Sequence, residues 1–316
     1  MTGLTKKVVV SEFMDEAALA AFGPAIEVLY DPTLVDDPER LRHEVAHADG
    51  LIVRNRTRVD PALLDAAPKL RVVGRLGVGL ENIDLDACAK KGVEVKPASG
   101  ANTQSVVEYV IGAMLVLRRG VFASSGDVLA GDWPRVLLGT GGEIQGLTLG
   151  LVGFGAIAQA VAQAAGALGM TIAAFDPYLP EADPAWSNVR FCDLDALLAI
   201  ADVVSLHVPL TQSTKGLIGT QALAKMKSDA LLINTARGGI VDETALAAAL
   251  RGGKLAGAAL DVFANEPLDR SAAAVFDACP NLVLTPHIAG VTQPANVRVS
   301  QVTVENVLQV LTGGET

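Results

Sequence analysis

The chain has 316 residues, half of them hydrophobic and 19% charged, with a formal net charge of −10. This acidic balance argues against nucleic acid or an anionic membrane as the main partner, and no run approaches the roughly 18 uninterrupted apolar residues of a membrane span. Cys88, Cys192 and Cys279 are scattered and odd in number, forming neither a disulfide framework nor a zinc knuckle. With no apolar signal core at the N-terminus, a reducing, cytoplasmic setting is expected.

Short β-branched runs alternate with amphipathic stretches along the chain, the pattern of parallel-sheet α/β proteins. Strands are predicted at Lys7–Val10, Gly50–Arg54, Arg71–Arg75 and Val93–Lys96, with helices at Asp15–Phe22, Pro38–His47, Pro61–Ala67 and Asp84–Lys91. His43-Glu44-Val45-Ala46-His47 in the second of these helices satisfies the His-Glu-x-x-His zinc-hydrolase pattern. No suitably spaced third ligand follows, so a solvated helical face is the better reading and no metal is expected. Arg54-Asn55-Arg56-Thr57-Arg58 directly follows a strand and is the richest basic cluster, and Arg75 ends the neighbouring strand. Arginines at strand ends suggest anion binding, although they could equally be solvated or paired with Asp60 and Asp65. After Arg75, Gly77-Val78-Gly79 can offer N–H groups to an anion without side-chain obstruction.

The small-residue turn Ser99–Asn102 opens a long helix, Ser105–Arg118, and marks a domain boundary. A second strand series follows at Thr148–Val152, Thr171–Asp176, Val203–His207, Leu231–Thr235, Ala256–Asp261 and Leu282–Thr285, with helices including Asp193–Ala199, Thr220–Lys225 and Glu243–Arg251. At its head, Gly153-Phe154-Gly155-Ala156-Ile157-Ala158 joins an apolar strand to an alanine-rich helix. The first glycine permits the turn, the second lets backbone approach a pyrophosphate, and the helix N-terminus faces its charge. The next strand ends in Asp176, 21 residues after Gly155. A carboxylate there accepts from ribose hydroxyls and repels a 2′-phosphate, favouring NAD over NADP, unless it merely opens the Asp-Pro turn. The last helix, Pro294–Leu311, is expected to return to the first domain. The expected fold class is therefore α/β, with two doubly wound parallel-sheet domains and the active site in the cleft between them. Residues 1–99 plus 290–316 would bind substrate and 100–289 would bind NAD.

Four further segments end predicted strands, where ligands bind in open α/β sheets: Leu206–Leu210, Asn234–Gly239, Leu260–Pro267 and Thr285–Gly290. Together with Gly77-Val78-Gly79-Leu80-Glu81-Asn82-Ile83-Asp84 and Gly131-Asp132-Trp133, they make the chain resemble the D-2-hydroxyacid dehydrogenase family over essentially its whole length. The resemblance implies an NAD-dependent enzyme that moves a hydride between nicotinamide and C2 of a small 2-hydroxyacid or 2-oxoacid. It implies His287 as general base, Glu266 as the carboxylate that orients that ring and stabilises its imidazolium, and Arg237 as the guanidinium for substrate carboxylate and carbonyl. Asp261 would anchor the nicotinamide carboxamide. Further cofactor contacts are implied for Gly153, Gly155, Ala156, Ile157, Asp176, His207, Val208, Pro209, Thr214, Thr235, Ala236, His287 and Gly290.

Arg54, Arg75, Val78, Gly79 and Arg237 are the candidate substrate residues. The arginine cluster resembles that of phosphoglycerate and sulfolactate dehydrogenases, so the expected partner is a small anionic 2-hydroxyacid or 2-oxoacid with a second anionic group. A glyoxylate or hydroxypyruvate reductase is the alternative, and a catalytically silent NAD-sensing protein on the same scaffold is the alternative of another class. The family habit is a homodimer built through the cofactor domain, to which the Trp133–Leu138 segment could contribute apolar contacts.

Overall fold

The structure is a computed structural model and describes residues 6–313. It divides into two compact units, one holding the described residues up to Asn102 and those from Val291, the other Thr103–Gly290. These limits lie three residues and one residue beyond those read from the sequence (102 against 99, 290 against 289).

In the first unit, strands β1 (Lys6–Val10), β2 (Ile26–Tyr30), β3 (Gly50–Val53), β4 (Val72–Arg75) and β5 (Glu94–Pro97) form one parallel sheet in the order β2-β1-β3-β4-β5. Helices α1 (Pro38–Val45), α2 (Pro61–Ala66) and α3 (Leu85–Lys90) cover one face with Leu41, Val45, Leu63, Leu64 and Cys88. Each starts where an aspartate, Asp37, Asp60 or Asp84, accepts the N–H three residues on, satisfying one of the donors a helix start leaves unpaired.

The second unit opens with α4 (Thr103–Arg119), α5 (Ser125–Leu129) and α6 (Arg135–Leu138). It continues through β6 (Thr148–Val152), α7 (Ala156–Ala167), β7 (Thr171–Phe175), β8 (Arg190–Phe191), α8 (Leu194–Ile200), β9 (Val203–Leu206) and α9 (Thr220–Leu223). It closes with β10 (Leu231–Asn234), α10 (Glu243–Arg251), β11 (Gly257–Leu260), α11 (Arg270–Ala273) and β12 (Leu282–Leu284). The final helix, α12 (Gln293–Thr312), belongs to the first unit and covers the other face of its sheet with Val299, Val304 and Val307. Gly74 makes this approach possible, because a Cβ there would lie 2.6 Å from Val307 Cγ2.

The second sheet is parallel throughout, ordered β12-β11-β10-β9-β6-β7-β8. The chain winds outward from β6 in both directions, so β6 and β9 flank the switch point where doubly wound sheets bind dinucleotides. Both units are thus Rossmann-like α/β domains. Among the described residues no helix is long and apolar enough to cross a membrane.

Three elements depart from the sequence reading, the first being the unanticipated two-residue edge strand β8 at Arg190–Phe191. Ile26–Tyr30 forms an unanticipated strand, an edge element whose residues alternate only weakly between buried and exposed. The segment expected as a helix at Asp15–Phe22 is a 3-10 helix over Glu16–Phe22, tightened by Asp15 accepting from Ala17 N.

Candidate active site

In the second unit the chemistry gathers on loops at the carboxyl ends of β6, β7, β9, β10, β11 and β12. Gly153 has φ +86°, and a Cβ on it would lie 2.7 Å from His207 O and 2.8 Å from Val208 Cγ1. This glycine lets the β6 turn press against the end of β9. Gly155 differs, since a Cβ there would meet nothing within 4 Å and its φ of −74° suits any residue. Its missing side chain leaves open space before α7, which has no side-chain cap. The first-turn amides, with Ala156 exposed and Ile157 half-buried, can receive an anion there. Asp176 does two jobs at the end of β7, accepting Phe154 N at 2.8 Å and Tyr178 N at 2.9 Å, so it closes the glycine loop as well as the Asp-Pro turn.

His207, Val208 and Pro209 leave β9 beside Gly153. Burial pushes the His207 imidazole down to about 4, and its Nε2 meets Ser205 Oγ at 2.9 Å, so the ring is neutral near pH 7. Thr214 closes the following turn by donating to Pro209 O at 2.6 Å. Thr235 Oγ1, at the end of β10, is buried with no hydrogen-bond partner among the described residues. An uncapped helix start, open space at Gly155, the Asp176 carboxylate and an orphaned hydroxyl on neighbouring strands fit a dinucleotide such as NAD.

The loop after β10 is held by Asn234, 1% exposed, whose Oδ1 accepts Ala236 N at 3.0 Å and whose Nδ2 donates to Arg237 O at 3.0 Å. Arg237 is half-buried and its Nη1 donates to Ala236 O at 2.6 Å. Gly238 is obligatory for packing, because a Cβ would fall 1.7 Å from Phe263 O on the loop after β11. That loop carries Glu266, whose Oε1 accepts Phe263 N at 2.9 Å and whose Oε2 lies 2.7 Å from His287 Nδ1. The carboxylate claims the Nδ1 proton and leaves Nε2, which has no protein partner among the described residues, for another group. The two side chains are 34% and 51% exposed, so the pair is open to a ligand. Asp261 is 1% exposed and accepts from Thr285 Oγ1 at 2.6 Å, Ile288 N at 2.9 Å and Ala289 N at 2.8 Å. Most of its acceptor capacity is spent inside the protein, and it fixes the loop that carries His287. Gly290 ends this unit.

In the first unit Arg54 follows β3 and Arg75 ends β4, with Val53 and Arg75 paired across the ladder. Arg54 Nη2 donates to Asn296 Oδ1 at 3.0 Å, and Arg75 Nη1 donates to Leu76 O at 2.7 Å across Gly77, whose φ of +137° favours glycine. The N–H groups of Val78 and Gly79 meet no acceptor among the described residues. The alternative in which arginines pair with Asp60 and Asp65 is not seen among the described ion pairs of Arg54, Arg56 and Arg58. Asp60 caps α2, Asp65 pairs with Lys91, and Arg56 pairs instead with Asp36.

Glu12 is a residue that no motif singles out. It is 4% exposed, and its carboxylate accepts the N–H groups of Arg54, Thr57, Asn55 and Arg56 at 2.8, 2.9, 3.3 and 3.1 Å. The switch-point crevice between β1 and β3 is thus filled by an internal anion. Asn82 braces the same loop, donating to Thr57 O at 2.6 Å and Arg54 O at 3.3 Å. At His43–His47, Glu44 is committed to Lys7 at 3.0 Å, and no group placed to hold a metal occurs among the described residues.

Residues 111–289 match the family model described as D-isomer specific 2-hydroxyacid dehydrogenase, NAD binding domain. The chain is 55% identical over 305 residues to a (S)-sulfolactate dehydrogenase of Chromohalobacter salexigens, covering 96% of this chain and 98% of the relative. It is 41% identical over 308 residues to a D-3-phosphoglycerate dehydrogenase of Mycobacterium tuberculosis, covering 97% of this chain but only 57% of that longer protein. A crystal structure of a Thermus thermophilus protein superimposes with a TM-score of 0.85 at 37% identity, covering 97% of each chain.

Proposed function

Since the chain belongs to the D-isomer-specific 2-hydroxyacid dehydrogenase family, and so transfers a hydride between NAD and C2 of a small 2-hydroxyacid or 2-oxoacid, we propose that its substrate bears a second anion, a sulfonate, on C3. The observation that carries this is the 55% identity, along nearly the full length of both chains, to a (S)-sulfolactate dehydrogenase. In sulfolactate the sulfomethyl group outranks carboxyl, so its S form has the spatial arrangement of a D-hydroxyacid and suits a D-specific family. The guanidinium groups of Arg54 and Arg75, on neighbouring strand ends, and the unclaimed N–H groups of Val78 and Gly79 are donors for anionic oxygens.

His287 is the proton acceptor. Its Nε2 takes the C2 hydroxyl proton as the hydride departs, and returns it in reduction. Glu266, on Nδ1, sets the ring orientation and stabilises the imidazolium that forms. Arg237 binds the substrate carboxylate and polarises the C2 oxygen. NAD, held by the Gly153–Ala158 turn and Asp176, supplies the hydride acceptor.

The protein acts in the cytoplasm as a homodimer. Phe122, Leu129, Trp133, Val136 and Leu137 are 63 to 90% exposed along α5, α6 and their flanks, an apolar surface that a second copy would cover. Sedimentation of the wild type and of Trp133→Asp checks that interface.

The deciding experiment is a reduction screen with NADH against 3-sulfopyruvate, phosphohydroxypyruvate, hydroxypyruvate, glyoxylate and pyruvate. kcat/KM for sulfopyruvate should exceed that for pyruvate and glyoxylate by at least about tenfold, the worth of one good charge-assisted contact. Equal values would discard the second-anion reading, and a preference for phosphohydroxypyruvate would reassign the anion as phosphate.

A further inference from the structure

His287 sits at φ +55°, in the left-handed region, which a non-glycine residue occupies only when its surroundings enforce it. Its own N–H is held by Asp261 O at 2.8 Å and Thr285 O at 3.0 Å. The next two N–H groups, of Ile288 and Ala289, converge on the Asp261 carboxylate. Thr285 donates its hydroxyl proton to that same carboxylate at 2.6 Å. A hydroxyl has one proton to give, so Tyr109 on α4, whose phenol oxygen is 2.6 Å from Thr285 Oγ1, must be the donor of the pair. Burial pushes the Tyr109 phenol upward, the nearby Asp261 charge adds to this, and the Thr285 bond only partly opposes them, so the proton stays on. A directed chain of donors therefore runs from Tyr109 to Thr285 and from Thr285 to Asp261, the carboxylate that also accepts the two amides after His287. Donors in such a chain polarise one another.

We propose that Tyr109 and Thr285 are positioning residues for hydride transfer, acting through Asp261 to hold the His287 backbone in the one conformation that keeps Nδ1 on Glu266 and aims Nε2 at the substrate. The proposal rests on His287 being the proton acceptor. Removing the Thr285 hydroxyl takes a donor from Asp261 and strands the Tyr109 proton against a methyl group. The His287 backbone then relaxes from its strained φ, and the Cα–Cβ direction that carries the imidazole turns with it.

The test compares Thr285→Val, Thr285→Ser, Tyr109→Phe and His287→Asn in the full chain. It measures kcat at saturating NADH and oxoacid, and NADH affinity by fluorescence titration. Thr285→Val should lose roughly 10- to 100-fold in kcat, the cost of an imidazole misplaced by about 1 Å, while NADH affinity stays within about twofold. Thr285→Ser should restore kcat to within about threefold, and Tyr109→Phe should lose roughly three- to tenfold, since the relay loses only its outer donor. Wild-type kcat in Thr285→Val and Tyr109→Phe, beside an inactive His287→Asn, overturns the proposal alone. So does a serine variant as damaged as the valine variant, which would assign the effect to shape, or a loss of NADH affinity matching the loss of kcat, which would assign it to cofactor anchoring. Full turnover in His287→Asn would instead remove the reading on which the proposal rests.

Discussion

Gly153 and Gly155 stand two residues apart in one motif, yet the structure assigns them different tasks, and alanine at each position separates fold from cofactor binding. At Gly153, φ of +86° costs an L-residue about 1–2 kcal/mol, and the overlap at 2.7 Å with a backbone oxygen cannot be relieved by a rotamer change. Overpacking of this kind adds about 1–3 kcal/mol, so Gly153→Ala should lose roughly 2–5 kcal/mol. With about 2–4 °C per kcal/mol for a unit of this size, the apo-protein Tm should fall by roughly 4–20 °C. At Gly155 the new methyl meets nothing within 4 Å at an ordinary φ, and the only intrinsic loss is the preference for glycine over alanine at an N-cap, about 0.5–1 kcal/mol. The methyl fills the space through which a phosphate reaches the α7 amides. Losing one charge-assisted hydrogen bond costs about 1.5–3 kcal/mol, which raises the NADH Kd roughly 10- to 100-fold. Differential scanning fluorimetry without cofactor and a fluorescence titration of NADH read the two effects independently. Gly155→Ala binding NADH like wild type, or Gly153→Ala melting like wild type, would refute the division of labour.

Two further substitutions probe the buried polar groups. Glu12→Gln places an amide donor against backbone N–H groups that now converge on a carboxylate, so stability should drop by roughly 2–4 kcal/mol. Because the Arg54–Thr57 loop loosens, kcat/KM for sulfopyruvate should fall at least about tenfold more than for pyruvate, and equal losses would show that the loop has no part in selectivity. His207 gives a pH signature. Its folded value is lowered to about 4 from 6.5, so the unfolded chain binds the additional proton between those values. The stability it contributes is fully present above pH 6.5 and is lost as pH falls towards 4, about 3 kcal/mol in all. His207→Asn should flatten the dependence of Tm on pH across that window, and an unchanged slope would place the titrating group elsewhere.

Much of the site was legible because its residues fall in ordered motifs on strand ends. Gly153, Gly155 and Asp176 announce a strand, turn, helix and strand in register. Glu266 and His287, 21 residues apart in the chain, stand 2.7 Å apart in space as the family pattern implies. The illegible residues act across distance. Glu12 meets Arg54 N from 42 residues away and Tyr109 meets Thr285 from 176, separations that hydrophobic periodicity does not report. The edge strand Ile26–Tyr30 escaped notice for a related reason, since one-sided pairing leaves only a weak alternation.

These hidden residues nevertheless share a position that has a physical cause. At the carboxyl end of a parallel sheet the ladder stops, and the backbone N–H groups of the following loop lose their sheet partners while still partly buried. Something must accept from them, and the nearest candidate is a side chain placed where an apolar strand ends. Glu12 follows Val8–Val10, Asn234 follows Leu231–Ile233, Asp261 follows Gly257–Leu260, and Asp176 follows Thr171–Phe175, and each accepts backbone N–H groups of a loop at this end of its sheet. A polar residue that terminates an apolar strand is therefore a signal in its own right, readable without any motif. Three of these four pin loops of the second unit that bear the cofactor and proton-transfer groups, and Glu12 pins the arginine loop of the first. Substitution at such a residue should alter catalysis or selectivity through loop geometry while every residue that touches substrate remains in place.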